Sequence, residues 1–254
     1  VSGMLCVIFM KKRFHILRTD DGERKISMRH IKVLLSMGIP MGLQYSITAI
    51  GSVILQAAVN GLGAITVAAV TAGSKISSFC VAVTDALGAT MATYCGQNVG
   101  AGKLDRVREG VKVATIIGII YSAIVFILMI FIGGELPKLF IDASKTDVIE
   151  KARIFLLWNS GFYFALIFVN VWRNSIQGMG FPMFAILSGV CEMFARGIVG
   201  FAGVKYFGFV AACMGSPLAW IIADMFLIPG FLYCLKKLGK VFGEKQTREE
   251  FQYE

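Results

Sequence analysis

Ionisable side chains inside otherwise apolar stretches are the first candidates for chemistry, because a charge in an apolar solvent is costly and faces a partner or a water-filled cavity. Glu192 and Arg196 stand four residues apart, on one helix face, and can form an intramembrane ion pair. Such a pair either fixes helix packing or takes part in gating. Asp85 lies among small residues. A desolvated carboxylate there can exchange a proton or hold a cation; a hydrogen-bonded structural aspartate near a helix end is the other reading. Asp224 is open to two readings, a relay or the partner of a local helix, and Arg173 is expected to snorkel or pair near a membrane face. Gln44, Gln56, Asn60, Asn159 and Asn170 are neutral polar groups in apolar helices. They can line a cleft, or they can join helices at roughly 0.6 kcal/mol each. No serine or cysteine nucleophile arrangement is discernible. His15 and His30 both fall in a polar linker, so no metal site is expected within the apolar segments.

The elements that must hold these groups follow from composition. The chain has 254 residues, 56% hydrophobic and only 16% charged, with a mean hydropathy of +0.71. Soluble domains are near 25% charged. Apolar runs of about twenty residues or more call for the bilayer as solvent. The net charge of +9 sits in short loops between those runs, which speaks for membrane topology and against nucleic acid. Six cysteines lie in or beside apolar segments without a CxxC pair and read as free thiols.

Residues 1–10 are apolar and run into Lys11-Lys12-Arg13, which reads as the end of a truncated spanning helix with more chain upstream. Residues 11–30 form a basic linker with a turn at Asp20-Asp21-Gly22. Six spans are expected over 31–235, near 31–60, 64–97, 110–133, 148–176, 183–204 and 209–235, followed by a basic tail at 236–254. Gly38 and Gly42 form a small-xxx-small pair beside Pro40. The second span is rich in small residues and expected to be buried among helices; the third, isoleucine-rich, is expected to face lipid. Trp158, Tyr163 and Trp172 read as interface anchors. About eighteen of the 25 lysines and arginines fall in the segments assigned inside and about five in those assigned outside, which puts both ends of this segment in the cytoplasm. Gly96, Gln97, Asn98, Gly100, Asp105 and Arg106 mark an inner-face turn. It has no preceding strand and no GxxxxGK[ST], so it is not a phosphate loop.

Several of these stretches together carry a resemblance. They are Gly38-Ile39-Pro40; Asn60-Gly61-Leu62-Gly63 with Ala68-Ala69; Gly96-Gln97-Asn98-Val99-Gly100-Ala101 with Asp105-Arg106; Arg173-Asn174 with Gln177-Gly178-Met179-Gly180; and Glu192 with Arg196. In this order the chain resembles the C-terminal half of a multidrug and toxic compound extrusion (MATE) transporter of the MOP flippase superfamily. The resemblance implies an all-α polytopic membrane bundle, one six-helix lobe of a twelve-helix transporter, whose other lobe is its partner. It also implies a plasma-membrane antiporter that exports drugs and amphipathic organic cations in exchange for Na+ or H+, with no cofactor beyond that ion and no enzymatic step. Two departures matter. Where some relatives carry acids in this lobe, this chain has Thr48 and Leu166, so the coupling acid is expected elsewhere, and Val83 replaces a proline of many relatives. A lipid-linked saccharide flippase and a non-transporting membrane scaffold are the other readings.

Overall fold

A computed structural model describes residues 2–14 and 27–250, the side chains of Ser2, Lys11 and 243–250 excepted. His15 and the turn expected at Asp20-Asp21-Gly22 lie outside the described residues. Every regular element among the described residues is helical: α1 (Ser2–Arg13), α2 (Met28–Asn60), α3 (Ala64–Gly100), α4 (Leu104–Ile132), α5 (Thr146–Gly161), α6 (Tyr163–Gly178), α7 (Pro182–Ile198) and α8 (Val204–Glu250). A 3-10 turn, Leu136–Leu139, follows α4, and a π turn, Val199–Gly203, joins α7 to α8. The chain divides into two units, Val1–Gly38 and Ile39–Glu254. The first holds α1 and the opening turns of α2.

Three stretches, α2, α3 and α4, are long and apolar enough to cross a membrane unaided. The span expected at 148–176 is instead broken: α5 and α6 meet at a 48° bend at Phe162. The 61-residue stretch Pro182–Phe242 folds back on itself at Gly208, whose φ of 54° and ψ of −129° are outside the helical region. On either side of that glycine the partners count in opposite directions. Gly203 faces Ala211, and Phe184 faces Gly230, so the two arms are antiparallel. With the bent pair as one span and this stretch as two, the apolar segments number six.

Small residues decide which helices meet. Lys151 Nζ donates to Thr66 Oγ1 at 3.0 Å, the Phe155 ring fills the space beside Gly73, Asn174 covers Gly88, and Gly178 abuts the Ala92 carbonyl. Partner numbers climb together on both sides, so α3 runs parallel to α5 and then α6. The same holds for α2 against α7, where Gly189 meets Gln44 and Thr48, and Gly200 meets Ile54 and Ala58. Such close approach, available only to residues with little or no side chain, is how helices associate where lipid offers no hydrophobic drive.

Each helix then shows a distinct free face. On α4 the buried side is Val107, Val111, Ala114, Thr115, Gly118 and Ser122, while Ile117, Ile120, Ile124, Ile127 and Phe131 point outward. Large side chains outside and small ones inside leave α4 with an isoleucine-rich outer face. On α3 the exposed residues Thr71, Ser74, Lys75, Ser78, Ala82, Asp85, Ala89 and Thr93 are small or polar, and Phe79 and Val83 are the large apolar side chains exposed among them.

Candidate functional site

The polar residues of α2, α3 and α6 converge on a small cavity of about 140 Å³ lined by Gln44, Tyr45, Asp85, Ala89, Asn170, Arg173 and Asn174. Asn170 is its hub. Its Nδ2 donates to Thr84 Oγ1 at 2.8 Å and to Asp85 Oδ1 at 2.9 Å, and its backbone carbonyl accepts Asn174 Nδ2 at 2.8 Å. Across the cavity Gln177 Nε2 donates to Gln44 Oε1 at 3.4 Å, and Gln44 Nε2 reaches Thr48 Oγ1 at 3.5 Å. These contacts exist because Gly88 has no Cβ: one there would sit 2.6 Å from Asn174 Nδ2 and 3.0 Å from the Asn170 carbonyl. Asp85 itself is exposed along the free face of α3, so one carboxylate joins that face to the interior.

Behind the cavity lies a buried ionic cluster. Arg173 Nε donates to Ser188 Oγ at 2.9 Å, and its Nη2 pairs with Glu192 Oε1. The other carboxylate oxygen of Glu192 takes Arg196 Nη2 at 3.1 Å. Glu192 is 2% exposed, so one carboxylate bridges two guanidiniums out of reach of solvent. Ser188, Glu192 and Arg196 repeat every four residues and form a single stripe on α7. Asp224, buried on α8, stands within Coulombic range of Arg173 and Glu192. The cluster is not hydrogen-bonded throughout: Arg196 Nε and Nη1 and Asp224 Oδ1 have no partner among the described residues. A buried polar network with spare donors and a spare acceptor is one that a change of charge nearby can rearrange.

The structure brings together Gln44, Asp85, Asn170, Arg173, Glu192, Arg196 and Asp224 from among the residues singled out in the sequence. It does not bring in Gln56, Asn60 or Asn159. Gln56 Nε2 donates to Asn60 Oδ1 at 3.1 Å on an exposed stretch of α2, and Asn159 is buried elsewhere, donating to the Phe155 carbonyl at 3.0 Å. Arg173 does not snorkel; it is 6% exposed and serves as the link between α6 and α7. Tyr163 and Trp172 are not interface anchors. Tyr163 is buried against Trp220, and Trp172 donates to Thr115 Oγ1 at 3.2 Å while packing on Phe231. The Trp172 indole N–H finds its partner inside the bundle, so its apolar ring is free to fill core. Sequence reasoning missed Tyr45, Asn174 and Ser188, and missed that Glu192 has a second cation. The available signal was that Arg173 and Asp224, like Glu192 and Arg196, are ionisable groups inside apolar stretches.

The glycine-rich motif between α3 and α4 builds a turn, not a site. Asn98 Nδ2 donates to the Tyr94 carbonyl at 2.8 Å, the Asn98 carbonyl accepts Lys103 N at 2.8 Å, and the Tyr94 hydroxyl reaches the Arg106 carbonyl at 3.2 Å. Gly102 takes a φ of 70°, Gly96 lies against the Gly178 carbonyl, and Gly100 has open space around it. Gln97 and Asp105 frame the same turn, Gln97 by accepting Ala101 N and Asp105 in the first turn of α4. A larger cavity, about 700 Å³, opens at the opposite end between the start of α3 and the loop before α5. Lys75, Lys145, Asp142 and Asp147 line it, and the Ser144 backbone N–H holds the Asp142 carboxyl below its usual range.

The MatE family model matches residues 40–201. The probable multidrug resistance protein YoeA of Bacillus subtilis is 21% identical over 160 residues, 61% of this chain and 35% of that protein. An FAD transporter of Shewanella oneidensis is 21% identical over 154 residues, 61% of this chain and 34% of its own length. A solved MOP superfamily transporter of Pyrococcus furiosus superposes with a TM-score of 0.69 at 20% identity, covering 77% of this chain and 43% of that one. The chain thus spans well under half the length of the relatives it matches.

Proposed function

We propose, proceeding from the fact that this chain belongs to the MatE family, that it is one six-helix lobe of a secondary active transporter. In this reading a second lobe packs beside it, and the two rock about a central cleft to give alternating access. The chain sits in the plasma membrane with both of its ends in the cytoplasm. It works by binding and motion, without covalent catalysis. Entry of Na+ or H+ drives export of an amphipathic organic cation.

The observation that carries the coupling role is Asp85. It lies on a polar free face, and its carboxylate is tied through Asn170 to the cavity that Arg173 also lines. A proton or cation arriving at Asp85 removes a negative charge in front of Arg173 and shifts the balance of the buried cluster. It biases the two states only by its difference in affinity between them. Thr48 and Leu166 leave no other acid where relatives carry one in this lobe. Asp85→Asn in the full-length transporter is expected to abolish gradient-driven ethidium efflux while leaving the protein in the membrane; unchanged efflux removes Asp85 from the mechanism. Absence of any gradient-dependent efflux from the full-length parent favours the scaffold reading.

A second reading has an anionic cargo. Arg173 lines the cavity and Lys75 stands on the same free face of α3, and one relative is an FAD transporter. Competition of a flavin nucleotide against ethidium for export separates the two.

A further inference from the structure

Along the last helix, Phe226, Gly230, Tyr233, Lys237 and Lys240 follow one another at spacings of four, three, four and three residues, which places them on a single stripe. The stripe is apolar at one end and cationic at the other. Beside it the start of α7 contributes Phe181 and Phe184, and the seam opens as a furrow of about 460 Å³ with Pro229 in its floor. Gly230 shapes it. A Cβ there would lie 3.0 Å from the Phe184 ring, so the bare glycine lets that ring sink between Phe226 and Tyr233, with centroids 5.9 and 5.8 Å away. At the mouth the Lys237 ammonium sits 5.5 Å from the Phe181 centroid. No described carboxylate pairs with Lys236, Lys237 or Lys240, and the furrow's lining contains no acid.

We infer that this furrow binds an anionic glycerophospholipid of the cytoplasmic leaflet. The phosphate meets Lys237 and Lys240 with the Tyr233 hydroxyl beside them. One acyl chain lies against Phe184, Phe226 and the ring of Pro229. The chemistry is complementary end to end: cations that no described carboxylate pairs, at the edge of a span, attract anionic headgroups, and an aromatic furrow offers an acyl chain dispersion contacts. A zwitterionic headgroup would leave its own cation facing lysines. The leaflet rests on the orientation proposed above; the binding does not.

The test uses the full chain in nanodiscs of phosphatidylcholine with increasing phosphatidylglycerol. Tyr233 is exposed, so Tyr233→Trp puts a fluorophore in the furrow. Phosphatidylglycerol with brominated chains is expected to quench the added fluorescence at a lower mole fraction than brominated phosphatidylcholine. Lys237→Gln and Lys240→Gln should each weaken that preference about five-fold, whereas Lys205→Gln, beyond the Gly208 turn, should leave it unchanged. Equal quenching by the two lipids, or a preference indifferent to both lysines, overturns the proposal. Native mass spectrometry of the parent and Lys237→Gln chains, counting retained phosphatidylglycerol, reads the same point without the tryptophan. Labelling of Lys240→Cys by an impermeant maleimide reports orientation separately. Labelling from the outside of intact cells would overturn the leaflet and leave the lipid preference standing.

Discussion

Burial, not distance, ranks the ion pairs of this bundle. Lys138 and Glu135 approach to 2.7 Å, but both side chains are well exposed, and such pairs contribute about 0–1 kcal/mol. Glu192 is the opposite case. Its carboxylate is shared between two buried guanidiniums. Removing one member of a buried pair strands the other and costs about 3–5 kcal/mol. Glu192→Gln keeps the shape and deletes the charge, so it is expected to lower the unfolding temperature in detergent far more than Glu135→Gln. Equal shifts for the two would mean that the cluster is solvated. Half of this arrangement was legible beforehand. The i,i+4 spacing of Glu192 and Arg196 shows in one dimension, whereas Arg173 reaches Glu192 from another helix. Cross-helix pairing depends on which faces meet, and that is settled by glycines and alanines scattered over α3, α6 and α7.

At the scale of the helices, the glycine-rich turn between α3 and α4 separates roles that look alike in sequence. Gly102 has a φ of 70°, where an L side chain costs roughly 1–2 kcal/mol. Gly100 ends α3 with nothing near its missing Cβ. Gly102→Ala is therefore expected to destabilise the chain by roughly 1–2 kcal/mol in thermal or denaturant melts. Gly100→Ala should be neutral or slightly stabilising, since alanine is the better helix former by about 1 kcal/mol. Identical effects at the two positions would show that the turn is not held in this conformation. Helix existence was easy to read, because apolar runs of spanning length have few alternatives. Breaks inside them were not. The 48° bend at Phe162 carries no proline, and Gly161 alone does not distinguish a bend from a close approach to the Phe126 ring.

For the whole lobe, the decisive contrast is between two free faces. The outer side of α4 is isoleucine and phenylalanine, indistinguishable from lipid in polarity. That of α3 is mostly serine, threonine and alanine with one lysine and one aspartate, and Phe79 and Val83 are its large apolar members. A polar face costs free energy against hydrocarbon and none against water, so the two faces demand different solvents. If α3 borders an aqueous cleft that a second lobe completes, cysteines placed along it are reachable from water. Single cysteines at Ser78, Ala82 and Ala89 should react with an impermeant maleimide above the background of the parent chain's own thiols. Cysteines at Ile120 and Ile127 on α4 should not. Organic-cation substrate should protect the α3 positions nearest Asp85, Ala82 and Ala89, more than Ser78. Silence along all of α3 would place that face against lipid or protein and sink the cleft assignment, because a thiolate forms, and reacts with maleimide, only where water reaches it.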